Sequence, residues 1–171
     1  MSTAKTRTFD FVIVGAGSAG CVLANRLSED PSINVCLVEA GGNNRHPLIS
    51  TPLGIARLLS HPRFNWMFTS MPQTHLGGRQ VATPRGKVLG GSSSINGMVY
   101  TRGHPTDYDD WSRMGATGWS FSEVLPYFLR SENNRDIRSS PYHGTSGPWE
   151  VGYLDMYSPL TDMLIAAAQN Q

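Results

Sequence analysis

Two glycine clusters in this sequence carry the residue types needed to receive a ligand on bared main chain. The first, Gly15-Ala16-Gly17-Ser18-Ala19-Gly20, follows the apolar run Phe11-Val12-Ile13-Val14 and leads into residues with helical spacing. In a GxGxxG so placed, Gly15 permits the tight turn, Gly17 lets a pyrophosphate approach the backbone, and Gly20 lets helix and strand pack closely. The helix start at Ser18 adds unpaired N–H groups and a positive dipole end. Glu39, followed by Ala40, closes the next apolar run and is suited to accept hydrogen bonds from an adenosine ribose. Its charge repels a 2′-phosphate, which disfavours NADP. The competing reading, a merely tight turn with a solvated glutamate, has strand, helix and acidic residue all weighing against it. NAD and FAD share the ADP half, so the motif alone leaves both open.

The second cluster is GKVLGGSSSINGMVY, Gly86 to Tyr100, with four glycines and three consecutive serines in fifteen residues. Gly90 and Gly91 remove side chains where a ligand can reach the main chain. Ser92 to Ser94 offer hydroxyls, and Ile95 to Tyr100 turn apolar, as burial against a flat ring system requires. Taken alone, the stretch reads equally well as a buried glycine–serine turn. The segments FVIVGAGSAGCVLANRLSED, VCLVEAGG, PRGKVLGGSSSINGMVYTRG, DYDDW and YHGTSGP together resemble the glucose–methanol–choline (GMC) oxidoreductases, which are FAD-dependent. The resemblance runs from about Phe9 to the end of the chain. Within that family the chain is most similar to bacterial alcohol dehydrogenases with a non-oxygen acceptor, and then to choline dehydrogenases.

That resemblance implies a division of labour. Gly15, Gly17, Ser18, Gly20, Glu39 and Ala40 are expected to hold the ADP moiety, and Val88, Gly90, Gly91 and Ser92 to line the pyrophosphate and flavin path. Asn96, Gly97, Met98 and Val99 are expected to present backbone and amide groups to the isoalloxazine. Some relatives bond the flavin covalently through a histidine where this chain has Ile95, so FAD is expected to be dissociable. In the resembling enzymes a histidine near the C-terminus takes the alcohol proton, and that region is not within these 171 residues. The expected whole is an oxidoreductase converting a small alcohol to an aldehyde. This chain would be its N-terminal FAD-binding portion, inactive alone, with the general base in a C-terminal part that would complement it. The alternatives are a non-catalytic FAD-binding fragment needing a complementing chain, a choline dehydrogenase, and an NAD-binding domain.

Three elements must position the first cluster. Phe11 to Val14, rich in β-branched residues, suits a strand covered on both faces. Ala19, Val22, Leu23, Arg26 and Leu27 predict a helix over 18–28, and Val35, Leu37 and Val38 a second strand. This βαβ unit, with a right-handed crossover, makes the fold class α/β: the incomplete N-terminal part of a Rossmann-like FAD-binding fold, read as one domain over residues 1–171. Residues 43–85 are punctuated by five prolines, which predicts loops, a short helix near Ile55 to Leu59 and a strand at Trp66 to Thr69. Pro105 with Tyr108, Trp111 and Met114 predicts a helix. So does the stripe Phe121, Val124, Leu125, Phe128, Leu129, with Ser120 and Glu123 as a capping box and Pro126 bending it or lying near its start. A last helix opens at Ser158-Pro159, and the chain stops at Gln171 without a C-cap residue.

Composition narrows the partners. Of the 171 residues 39% are apolar, and 14 basic side chains face 13 acidic ones without a like-charge block, so nucleic acid is not expected. The apolar run near the start is too short for a signal h-region or a spanning helix. A cytoplasmic location follows, with attachment to the periphery of a membrane left open. Cys21 and Cys36 read as small packing residues of a reducing compartment. His46, His61, His75, His104 and His143 fit no metal spacing and read as surface or locally satisfied loop histidines, so no metal is expected. Trp66, Trp111, Trp119 and Trp149 read either as flanking a substrate channel or, equally well, as ordinarily buried large aromatics.

Overall fold

The computed structural model describes residues 6–154 and 158–169. The first five residues, part of the segment read for leader character, and Asn170–Gln171, where the absent C-cap residue was expected, lie outside the described residues. Two compact units divide the chain, Met1–Val99 and Tyr100–Gln171.

The first unit opens as its hydrophobic pattern requires. Strand β1 (Phe11–Val14), helix α1 (Ser18–Leu27) and strand β2 (Val35–Val38) form a βαβ unit in which β1 and β2 pair in parallel, Ile13 opposite Leu37. Side chains alternate along a strand, and Ile13 is the residue turned to α1: its Cγ2 lies 3.3 Å from where a Cβ on Gly20 would sit. Val12 and Val14 are 61% and 84% exposed. The covering of both faces inferred from the β-branched run is therefore met on one face only, because a single helix packs on this pair.

The core of this unit lies beneath the loop-rich segment. Leu58, Phe64, Val88 and Ile95 are buried together, with Leu48 and Ile49 against them. Short helices α2 (Pro47–Ser50) and α3 (Ile55–Leu58) supply half of that cluster. Buried Asn65 ties the loops: its Nδ2 donates to Leu59 O at 2.7 Å, and its Oδ1 accepts from Met67 N and Arg85 N at 3.0 Å each. Every polar atom of that amide is thereby paired, which is the condition for burying it. The strand expected at Trp66 to Thr69 is only β3 (Phe68–Thr69), antiparallel to β4 (Ala82–Thr83). Met67 has φ +58°, a left-handed conformation that interrupts an extended path.

In the second unit, α4 (Pro105–Arg113) starts with proline in its first turn, and α5 (Phe121–Ser131) carries Pro126 in its interior. Tyr108, 9% exposed, collects Trp111, Phe121 and Phe128 at ring-centroid distances of 5.5, 6.0 and 5.7 Å. Strands β5 (Glu132–Asn134) and β6 (Trp149–Val151) pair in parallel. The sequence pattern did not announce them, since three residues are too few for a period of two to show. The last helix, α6 (Pro159–Gln169), is exposed along its described length. All four tryptophans are 42–58% exposed, so their burial is partial.

Candidate cofactor site

Main-chain geometry brings the two glycine clusters together. Gly15 turns the chain out of β1 at φ +97°, and its N–H donates to Val38 O at 2.7 Å. A Cβ on Gly20 would stand 2.0 Å from Gly15 O, so only glycine lets α1 start this close to the turn. A Cβ on Gly17 would meet no atom of the chain within 4 Å. Gly17 is the N-cap of α1, without a side-chain cap and with no acidic residue in the first turn. Such a helix start has its N–H groups free to receive an anion.

The second cluster returns to this turn. Gly91, at φ +57°, lies so close that a Cβ there would come within 2.7 Å of Gly17 Cα. Gly90 N donates to Ala16 O at 2.7 Å, and Leu89 N to Gly42 O at 2.9 Å. Ser18 and Ser93 join their hydroxyls. The Gly91–Ser94 segment winds as a 3-10 turn beside α1. Glu39, partly buried, accepts Ala16 N through Oε2 and Gly41 N through Oε1, both at 2.8 Å. It clamps the first turn to the loop after β2, a structural task not visible in the motif. Each carboxylate oxygen keeps a lone pair beyond these bonds, so the ribose role stays open to it. Ala40, beside it, is exposed.

The remaining residues of the second cluster divide by burial. Val88 is wholly buried in the core, so any influence it has on a ligand passes through the strand-like bridge between Val88 and Gly42. Ser92 Oγ accepts from Gly86 N at 3.1 Å. Ile95 is 3% exposed and packs in the core. Beyond it, Asn96, Gly97, Met98 and Val99 are all exposed, Met98 by 64% and Val99 by 81%. Of the apolar stretch from Ile95 to Tyr100, only Ile95 is buried within the chain, and Tyr100 is half-buried. Bared main chain, an uncapped helix start and an exposed apolar segment make a donor set that fits a dinucleotide with a flat ring at its far end.

A polar cluster in the second unit was not singled out from sequence. Glu132 is 0% exposed. Its Oε1 accepts from Asn134 Nδ2 at 2.9 Å and His143 Nδ1 at 2.8 Å, while its Oε2 accepts from Gly144 N at 3.2 Å and pairs with the Arg102 guanidinium. Burial works to raise its pKa, and the bonds from Asn134, His143 and Gly144 with the charge of Arg102 outweigh it, holding the carboxyl below its ordinary 4.5. An ionised carboxylate only accepts, so the proton of this bond sits on His143 Nδ1. Asn134, His143 and Gly144 lie within twelve positions of Glu132, and Arg102 reaches it from thirty positions away, a spacing that matches no catalytic or metal motif.

Three other histidines are locally engaged: His46 Nδ1 accepts from Leu48 N, His61 Nδ1 from Arg63 N, and His104 Nδ1 from Thr106 N, each at 3.3 Å, while His75 lies exposed in the Thr74–Leu76 turn. Cys21 and Cys36 are free and partly buried. Among the described residues, no three of the metal-binding types gather as a site, and no helix is long and apolar enough to cross a membrane.

Comparison with known proteins gives this geometry its context. An alcohol dehydrogenase (acceptor) of Pseudomonas putida is 50% identical over 159 residues, 93% of this chain and 29% of that protein. An oxygen-dependent choline dehydrogenase of Brucella ovis is 48% identical over 92% of the chain and 29% of its own length. The chain thus spans under a third of the curated relatives it matches. Among solved structures, pyridoxine 4-oxidase from Mesorbium loti superposes with a TM-score of 0.86 at 37% identity, covering 95% of this chain and 32% of that one. Formate oxidase of Aspergillus oryzae RIB40 superposes at 0.82 with 33% identity, covering 94% and 30%. The fold is accordingly the N-terminal FAD-binding region of such enzymes, in part. With the GMC oxidoreductase family profile matching residues 9–171, the chain belongs to the GMC oxidoreductases.

Proposed function

We propose that this chain is the N-terminal FAD-binding portion of an oxidoreductase acting on the CH–OH group of a small alcohol. The seating of Gly91 against Gly17 carries the reading, because it merges two bared stretches of main chain into one continuous bed. In it, Gly15, Gly17, Ser18, Gly20, Glu39 and Ala40 hold the ADP half. Gly90, Gly91 and Ser92, with Val88 behind them, hold the path onward. The main chain of Asn96, Gly97, Met98 and Val99 meets the ring. Bound FAD supplies a hydride acceptor. The residues of the bed bind and orient it, and their N–H groups favour negative charge on the phosphates.

Two details support non-covalent attachment and an incomplete catalytic set. Ile95 is an apolar core side chain, without a nucleophile for the flavin. His46, His61, His104 and His143 each engage one ring nitrogen locally, and His75 lies in the exposed Thr74–Leu76 turn; none of the five is assigned to accept the alcohol proton. The relatives named for alcohol and for choline support a small hydroxyl-bearing substrate. A cytoplasmic protein, with the proton acceptor in a complementing part, completes the proposal.

The purified chain, mixed with excess FAD and passed through gel filtration, is expected to keep flavin absorbance in the protein peak while showing no alcohol-dependent dye reduction. A colourless peak that instead takes up NAD overturns the FAD assignment, and turnover by the chain alone overturns the division of labour.

A further inference from the structure

The segment that emerges from the core after Ile95 contains an uncommon backbone arrangement. Met98 has φ +58°, a region that side chains with a Cβ occupy rarely and at a cost. Burial does not repay it, since Met98 is 64% exposed. The conformation is instead held by Asn96, whose Oδ1 accepts from Met98 N at 2.9 Å, an Asx turn. The same device occurs at Asn65, whose Oδ1 accepts from Met67 N at 3.0 Å, and Met67 also has φ +58°. There the asparagine is buried and serves the core through further bonds to Leu59 and Arg85. Asn96 is exposed, and among the described residues Met98 N is the only hydrogen-bond partner of its side chain.

Strain kept at an exposed turn without packing gain points to a use for the main chain itself. Ile95 anchors the near end in the core, and Gly97 leans toward Ile55, whose Cδ1 would lie 3.7 Å from a Cβ on that glycine. Only the direction of the 97–98 peptide is then left to be set. We propose that Asn96 is a positioning residue for the cofactor. By bonding Met98 N–H it holds Met98 left-handed and fixes the direction in which the main chain of Gly97 and Met98 meets the flavin, so its amide acts through the turn rather than by touching the ring. This inference rests on the flavin bed proposed above.

Four chains test it: the parent, Asn96→Ala, Met98→Gly and the double variant. Two readouts are used. The intra-residue N–H/Hα cross-relaxation of residue 98 in labelled, FAD-free protein is strong at positive φ and weak at negative φ. FAD affinity is read by flavin fluorescence quenching. Asn96→Ala is expected to weaken the cross-relaxation and to raise the apparent Kd about 10-fold, as the competent conformation falls to roughly a tenth of the population. Glycine adopts positive φ freely, so Met98→Gly in the Asn96→Ala background is expected to return the affinity to within about 3-fold of the parent. Unchanged cross-relaxation in Asn96→Ala overturns the inference, and so does failure of Met98→Gly to rescue, which would assign Asn96 a direct contact. A parent chain that binds no FAD removes the flavin reading and this role with it, while the cross-relaxation still reports whether the turn depends on Asn96.

Discussion

Replacing Gly17 by alanine separates a glycine required by the fold from one required by a ligand. An alanine Cβ at this position meets no atom of the chain within 4 Å, and the residue's φ of −81° is open to any amino acid. As the N-cap of α1 it is a weaker cap as alanine, at a cost of about 1 kcal/mol. Reduced freedom of the unfolded chain returns about 0.4–1 kcal/mol. Net stability should therefore move by less than about 1 kcal/mol, read as the urea midpoint at unchanged slope. In the proposed FAD bed the methyl group projects into the approach of a pyrophosphate to the helix start. Losing one charged hydrogen bond there costs about 1.5–3 kcal/mol, roughly a 10- to 100-fold rise in the Kd for FAD. Gly91→Ala behaves in the opposite way. Its φ of +57° and a Cβ 2.7 Å from Gly17 Cα cost about 1–2 kcal/mol in backbone strain and about 1–3 kcal/mol in overpacking, so stability falls first. Parent-like FAD affinity in a folded Gly17→Ala chain, or a stability loss above about 2 kcal/mol, would refute the reasoning.

Glu132→Ala leaves the Arg102 guanidinium, 14% exposed, without its carboxylate, which should destabilise the protein by about 3–5 kcal/mol in urea unfolding. Because the folded pKa of Glu132 is depressed, its contribution to stability is present above the unfolded value and is lost as pH falls through the folded one. Glu132→Gln should flatten the acid limb of the urea midpoint below about pH 4.5, and an unchanged limb would contradict the arrangement. Acid precipitation of the FAD-loaded chain should leave all flavin in the supernatant, whereas yellow colour in the washed pellet would disprove non-covalent binding.

Legibility followed the range of the interactions. The βαβ start, the Gly15 turn and the close packing at Gly20 are local, and the pattern of residues 11–39 shows them. The roles of Pro105 and of Glu123 at the start of α5 are local too: Glu123 Oε2 accepts from Ser120 N at 3.0 Å. Exposure depends on what lies across a face: two strands and one helix leave Val12 and Val14 uncovered, as that small element count implies, and residue type alone does not tell how far the tryptophans are buried. The strand at Trp66 was overextended because an Asx turn at Asn65 carries no hydrophobic period. The Glu132 cluster joins residues that no motif links.

Residue order alone set the places where the backbone is bare, because a missing Cβ is a property of the residue and a tight turn needs only its neighbours. It also set the helix starts and the family. Tertiary structure decided that Gly91 lies on Gly17, that Glu39 clamps the turn it follows, and that the core sits under the loops. Those contacts span up to 74 positions, from Gly17 to Gly91, and depend on chain closure and shape complementarity, for which a linear pattern has no period.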